Sequence, residues 1–358
     1  MKTINAYVLS IMMLIALSAA AQSDKDKALT MARQAIAKER DGDIAGAIKI
    51  LEEAQQLDKD NTDYTYEIAY AHYLNKDYKE AQQLLRNIIS SKTANDRYYQ
   101  LLGNTYDMQG DSTGAVTVYK QGLAKFPKSG KLYTELGLVY INQKNYNKAL
   151  NYFEKGIQID PQHASNYYWA TRIYCSSDQE VWGMIYGEIF INLESESKRT
   201  AEISKLLYDT YKSEITYPTD TSMSISFCNN AMLTPEQIKK HKLPFGNFGY
   251  ELPLTLAVVG THSITLNSLD TIRRNFINTF YEQKKNKDYP NILFDYQKDL
   301  LTQGYLSAYN HWLLMHGDEK AFAEWASAHK EEITNFIKWY PVHKLNVTDD
   351  HRFYREQY

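Results

Sequence analysis

The chain is poor in cysteine: Cys175 and Cys228 are the two thiols in 358 residues. Small exported domains without a sufficient core depend on dense disulfides, and two cysteines exclude a fold built on such a framework. One bridge between Cys175 and Cys228 is one reading, and two free buried thiols is the other. Positive charge is not in excess either. Lys and Arg number 40 against 43 Asp and Glu, a formal net charge of −3. A nucleic-acid surface shows a basic face, so that partner class is not expected, nor is an anionic membrane. Beyond residue 21 no apolar run reaches the ~20 residues that span a bilayer, so no transmembrane segment is expected. Catalytic signatures are missing as well. There is no His-Glu-x-x-His, no Gly-x-Ser-x-Gly elbow and no Gly-rich phosphate loop ending in Lys-Ser/Thr.

The first residues carry an address. Lys2 supplies a positive end, Tyr7 to Leu17 is apolar but short, and Ala19-Ala20-Ala21 precede Gln22. This pattern reads as a secretory signal peptide over residues 1–21, cleaved before Gln22 and excluded from the fold. No cysteine follows the apolar run, so a lipid anchor there is not expected. The expected location is periplasmic, at the cell surface or secreted.

From Lys27 to Pro161 the sequence repeats itself every 34 residues without a gap. One column holds Ala35, Ala69, Gly103 and Gly137, and a second holds Ala47, Ala81, Ala115 and Ala149. Large residues follow at Leu51, Leu85, Tyr119 and Phe153. Each unit reads as two amphipathic helices, with small residues where helices approach closely and large ones filling the space between units. Such a pair cannot bury its apolar face alone, so units stack into a solenoid. Turn signals fall on schedule at Asp41-Gly42-Asp43, Asn75-Lys76-Asp77, Gln109-Gly110-Asp111 and Gln143-Lys144-Asn145.

The run Leu102-Gly103…Tyr106…Gly110…Ala115…Tyr119…Pro127 resembles the tetratricopeptide (TPR) repeat. So does its echo Leu136-Gly137…Tyr140…Ala149…Phe153…Pro161. The first two units depart from it, with Lys59 and Thr93 where the closing Pro stands and Ala in the first small column. The resemblance implies an all-α, TPR-type helical-hairpin solenoid, followed here by a mostly α-helical C-terminal domain. It also implies a scaffold that holds a protein or peptide. The expectation is therefore an exported bacterial TPR protein, a non-enzyme without cofactors. The alternative is an envelope enzyme or ligand-binding protein with its site in the C-terminal domain, the repeats serving recruitment or oligomerisation.

By sequence the chain divides into four repeats over 22–161, a degenerate fifth with connecting helices over 162–216, a mostly helical domain over 217–345 and a polar tail over 346–358. A Ser/Thr/Asn-rich connector is expected at 217–230, and a capping box at Thr234-Pro235-Glu236-Gln237. Leu252 to Val259 suits a strand or a helix equally.

In a TPR array the first helix of each pair lines the inner groove. Its inward positions would be Ala32, Ile36 and Glu39 in the first unit, and Tyr66, Tyr70 and Tyr73 in the second. They would be Gln100, Asn104 and Asp107 in the third, Thr134, Leu138 and Ile141 in the fourth, and Tyr168, Arg172 and Cys175 in the fifth. Three tyrosines in one inward row make a rigid amphipathic surface. No Lys stands in the row of Ala32, Tyr66, Gln100 and Thr134, so a clamp for a C-terminal carboxylate is not expected. Elsewhere, His311 and His316 read as cap or interface histidines, and His262 beside Ser263 as no triad. Asp349-Asp350-His351 reads as a solvated cluster. Glu188 is the odd residue, a carboxylate in a helix apolar all round. It must be paired or protonated: one reading makes it a catalytic acid, and the other, which is favoured, pairs it with an arginine, Arg172 on the preceding helix.

Overall fold

The computed structural model describes residues 22–219, 222–229 and 243–358. The expected signal peptide and the capping box at Thr234 lie outside them. The protein is all-α, of TPR type, with one short hairpin of strand. The chain forms two compact units, one ending at Val139 and the other running from Tyr140 to Tyr358.

The first unit opens with α1 (residues 22–40). Then follow α2 (Ile44–Leu57), α3 (Thr62–Leu74), α4 (Tyr78–Ile88), α5 (Asp96–Met108), α6 (Ser112–Lys125) and most of α7 (Gly130–Asn142). The sequence starts these helices with side-chain caps. Asp43 accepts from the Gly46 amide at 2.9 Å and Asp111 from Gly114 at 2.8 Å, while Asn61 and Asn95 cap α3 and α5. Ala35, Ala47, Ala69, Ala81 and Ala115 are all fully buried. A Cβ on Gly103 would run into the Tyr119 ring, so the small column is needed where it stands.

The second unit holds α8 (Tyr146–Ile159), α9 (Ala164–Tyr174), α10 (Glu180–Leu193) and α11 (Lys198–Glu214). Strands β1 (Ile215–Thr219) and β2 (Ser222–Ile225) then pair antiparallel, with Ile215 opposite Ile225. A π-wound turn, Phe245–Glu251, leads into α12 (Leu252–Ala257). After it come α13 (Leu266–Glu282), the single turn α14 (Lys285–Asp288), α15 (Ile292–Gln303), α16 (Leu306–Leu313), α17 (Glu319–Ala328) and α18 (Lys330–Trp339). Every residue of α10 from Glu180 to Asn192 is buried, which makes it the centre of this unit.

Two expectations need correction, and one of two open readings is decided. The connector after α11 is partly a β-hairpin: Ile215 and Ile225 give its ends apolar anchors, and the Ser/Thr content between them does not prevent pairing. Residues 346–358 are not a solvated tail, because Phe353 is fully buried and Val347 is 2% exposed. Cys175 and Cys228 are free thiols rather than a bridge. Each packs on a different glycine, Cys175 against Gly183 and Cys228 against Gly246, and burial pushes the Cys175 thiol up to about 12.

Candidate functional site

Two constellations carry polar chemistry, one in each unit. The one in the second unit is built around Glu188, on α10. Its partner is Arg273 of α13, not Arg172. One guanidinium nitrogen of Arg273 donates to both carboxylate oxygens at 2.8 Å. Gln297 donates to the same carboxylate at 2.6 Å and Tyr309 at 2.9 Å. Arg273 spends its other donors on Asn310 at 2.7 Å and on the Tyr211 hydroxyl at 3.0 Å, and Asn310 donates to Asp270 at 2.9 Å. The adjoining cavity is about 20 Å³, room for about one water. A carboxylate with this many donors, one of them a buried cation, is a structural group already engaged. Arg172 lies exposed on α9, pairing with Glu202 at 3.1 Å and covering the Trp169 ring at 4.8 Å.

The histidines are occupied too. His311 stacks on Trp325 at 3.9 Å, and its ring nitrogens lie 2.9 Å from the Ser307 carbonyl and 3.0 Å from Asn267. His316 meets Glu319 at 2.9 Å, and His351 meets the Asn346 carbonyl at 2.8 Å. Both His262 and Ser263 are exposed. Among the described residues no group of His, Cys, Asp and Glu has metal-holding geometry.

The first unit offers a face instead of a pocket. Its first-of-pair helices are linked in register by side chains one period apart. Thr62 bonds the Tyr98 hydroxyl at 2.9 Å, Gln100 donates to Glu135 at 2.7 Å, and Ser129 donates to Asp96 at 2.6 Å. Tyr66, Tyr70 and Tyr73 are half-buried along α3. Tyr66 is the most engaged: it stacks on Tyr98 at 5.2 Å and carries the Arg97 guanidinium 4.4 Å from its ring. Burial, with the Glu67 charge next, pushes its hydroxyl up to about 12. Tyr70 and Tyr73 stack on each other at 6.4 Å, and Tyr73 also meets Tyr78. Asn104 accepts from the Tyr119 hydroxyl at 2.6 Å, and Asp107 is 3.4 Å from Ser112. Leu138 is half-buried, whereas Thr134 is buried and donates its hydroxyl to the Gly130 carbonyl at 3.1 Å.

The neighbour of Thr134, Glu135, reaches this face instead. Burial raises its carboxyl above the usual range, and the Asp107 charge adds to that. Glu67, two periods earlier, is raised by burial too, and so is Glu39 on α1. Sequence reasoning named Glu39 and Asp107 but missed Glu67 and Glu135, because it followed a single helical row. Their recurrence two periods apart, a residue past Tyr66 and Thr134, was the available signal.

Comparison with known proteins places the repeats in a family. Residues 39–104, 99–129 and 130–163 match family models of the tetratricopeptide repeat. The BBSome complex member BBS4 of Bos taurus is 27% identical over 120 residues, covering 34% of this chain and 23% of that protein. Tetratricopeptide repeat protein 21B of Homo sapiens is 33% identical over 70 residues, 20% of this chain and 5% of that protein. This chain thus spans less than a quarter of the length of either relative. Among solved structures, MamA is 21% identical with a TM-score of 0.36, covering 45% of this chain and 94% of that one. Pseudomonas aeruginosa pilF is 18% identical with a TM-score of 0.43, covering 54% and 85%. No helix of the described residues is long and apolar enough to cross a membrane.

Proposed function

We propose that this protein is an exported bacterial scaffold that binds a protein or peptide segment on the inner face of its first repeats. The observation that carries this reading is the row Tyr66, Tyr70 and Tyr73, half-buried on α3, with Gln100, Asn104 and Asp107 in the matching positions of α5. Partly exposed tyrosine rings make large contacts at little entropic cost, and polar neighbours fix register. The repeats point to interaction as a class of activity, and one relative bears the name of a complex member. The rival, an enzyme centred in the second unit, loses its strongest residue, because Glu188 has its acceptors filled.

The test is a pull-down from envelope extract with Tyr70→Ala and Tyr73→Ala. Both should lower partner recovery while the melting temperature stays close to wild type, since neither ring is fully buried. Truncating an anchor of this kind costs ~2 kcal/mol of binding or more. Two early-melting variants, or two that keep the partner, would remove these rings from the binding surface. Export is tested on the same preparation. Intact mass should place the mature N-terminus at Gln22, and an uncut chain retained in the cytoplasm counts against it.

A further inference from the structure

The scaffold reading leaves the chemistry of the partner open, and the charges on the same face narrow it. Among the carboxylates of the first-of-pair helices are Glu39 on α1, Glu67 on α3, Asp107 on α5 and Glu135 on α7. They interact in two pairs. The Glu67 charge raises Glu39, and the Asp107 charge raises Glu135, each on top of a larger effect of burial. Tyr70 and Tyr73 lie between them in sequence, and Tyr73 feels the charges of both Glu135 and Asp107. One oxygen of Glu39 is buried and accepts no hydrogen bond. A buried acceptor without a donor costs stability, and two half-buried like charges repel. Glu67 already has Arg97 at 3.8 Å; a cation brought from outside would relieve the Glu39 oxygen and the Asp107–Glu135 repulsion.

The face already shows how it receives one. Arg97 lies 4.4 Å over the Tyr66 ring, bonds to Asp63 and stands 3.8 Å from Glu67. Stacking on tyrosine with a carboxylate at the rim is a favourable geometry for a guanidinium. Two further cations of the unit are engaged elsewhere, Lys38 with Asp43 and Lys131 with Asp96.

We propose that the partner segment is basic: a stretch of polypeptide whose Arg or Lys side chains meet the Glu39–Glu67 and Asp107–Glu135 pairs, their stems packing on Tyr70 and Tyr73. This rests on the scaffold reading and adds the charge of the ligand. Opposite charge across an interface sets specificity and on-rate, so the binding should weaken with salt.

The experiment uses the full chain and three short fluorescein-labelled peptides of one length, with Arg, Gln or Glu at alternate positions, followed by anisotropy. The Arg peptide should bind, weaken as ionic strength rises, and lose about tenfold in affinity to the double variant Glu135→Gln with Asp107→Asn. Glu39→Gln should weaken it in the same direction. A control pair, Glu52→Gln with Glu53→Gln on the exposed side of α2, removes the same charge and should leave affinity unchanged. All variants are nearly isosteric, and circular dichroism confirms that they fold. The proposal is overturned if the Gln or Glu peptide binds as well as the Arg peptide, if the Arg peptide does not bind, or if the control pair loses as much. A partner captured by wild type, lost with Tyr70→Ala and indifferent to the Glu135–Asp107 variant would leave the scaffold reading standing and sink this one.

Discussion

Glu188 and Arg273 are 85 residues apart in sequence and share one ion pair, 2% and 6% exposed. Removing one member of such a pair leaves an uncompensated charge in the interior, at a cost of ~3–5 kcal/mol. Arg273→Met should therefore shift the urea midpoint of the second unit strongly downward. Adding Glu188→Gln to it should recover part of the loss, because no naked charge remains. An unchanged midpoint for the single variant would mean that the pair contributes nothing. The sequence marked Glu188 as needing an arginine but pointed to the wrong one. Arg273 lies among Leu269, Ile272, Phe276 and Phe280, the apolar stripe of α13. An arginine on an inner stripe is the second half of the signal that an acid on a buried helix begins.

At the level of elements, the repeat is a set of turns as much as a set of helices. Gly42, Lys76, Gly110 and Lys144 occupy one column, with φ of 86°, 65°, 82° and 57°. The turn needs a left-handed residue, glycine supplies it freely, and lysine tolerates it at some cost. The small-residue column has no such latitude. Ala115 is fully buried on α6, and Ala115→Trp should cost at least the ~1–3 kcal/mol of overpacking. A circular dichroism melt checks this, and an unmoved curve would contradict the column. These elements were legible because their spacing is strict and their contacts are local. The hairpin β1–β2 was not, since its Ser/Thr-rich sequence reads as a connector, nor was the stretch Leu252 to Val259 that holds α12, since a short apolar run fits helix and strand alike. Of the proposed binding face, the sequence named Tyr66, Tyr70, Tyr73 and Asp107. It missed Glu135, where the side chain that reaches the face sits one residue beyond the expected row.

Taken whole, the molecule joins two ways of building a core. The first unit is assembled from neighbours in sequence, and periodicity reveals it. The second is closed by pairs that no period connects. Asn192 meets the Tyr309 hydroxyl at 2.7 Å across 117 residues, and Arg355 holds Glu154 at 2.8 Å across 201. Phe353, fully buried, packs on Trp182 and Tyr186 of α10. This gives the chain a timetable. The repeats can fold as they leave the ribosome, but α10 emerges long before the segment that covers it. At ordinary rates of synthesis that interval is on the order of ten seconds. Through it the most apolar helix among the described residues must stay shielded by something other than its own fold, such as a chaperone.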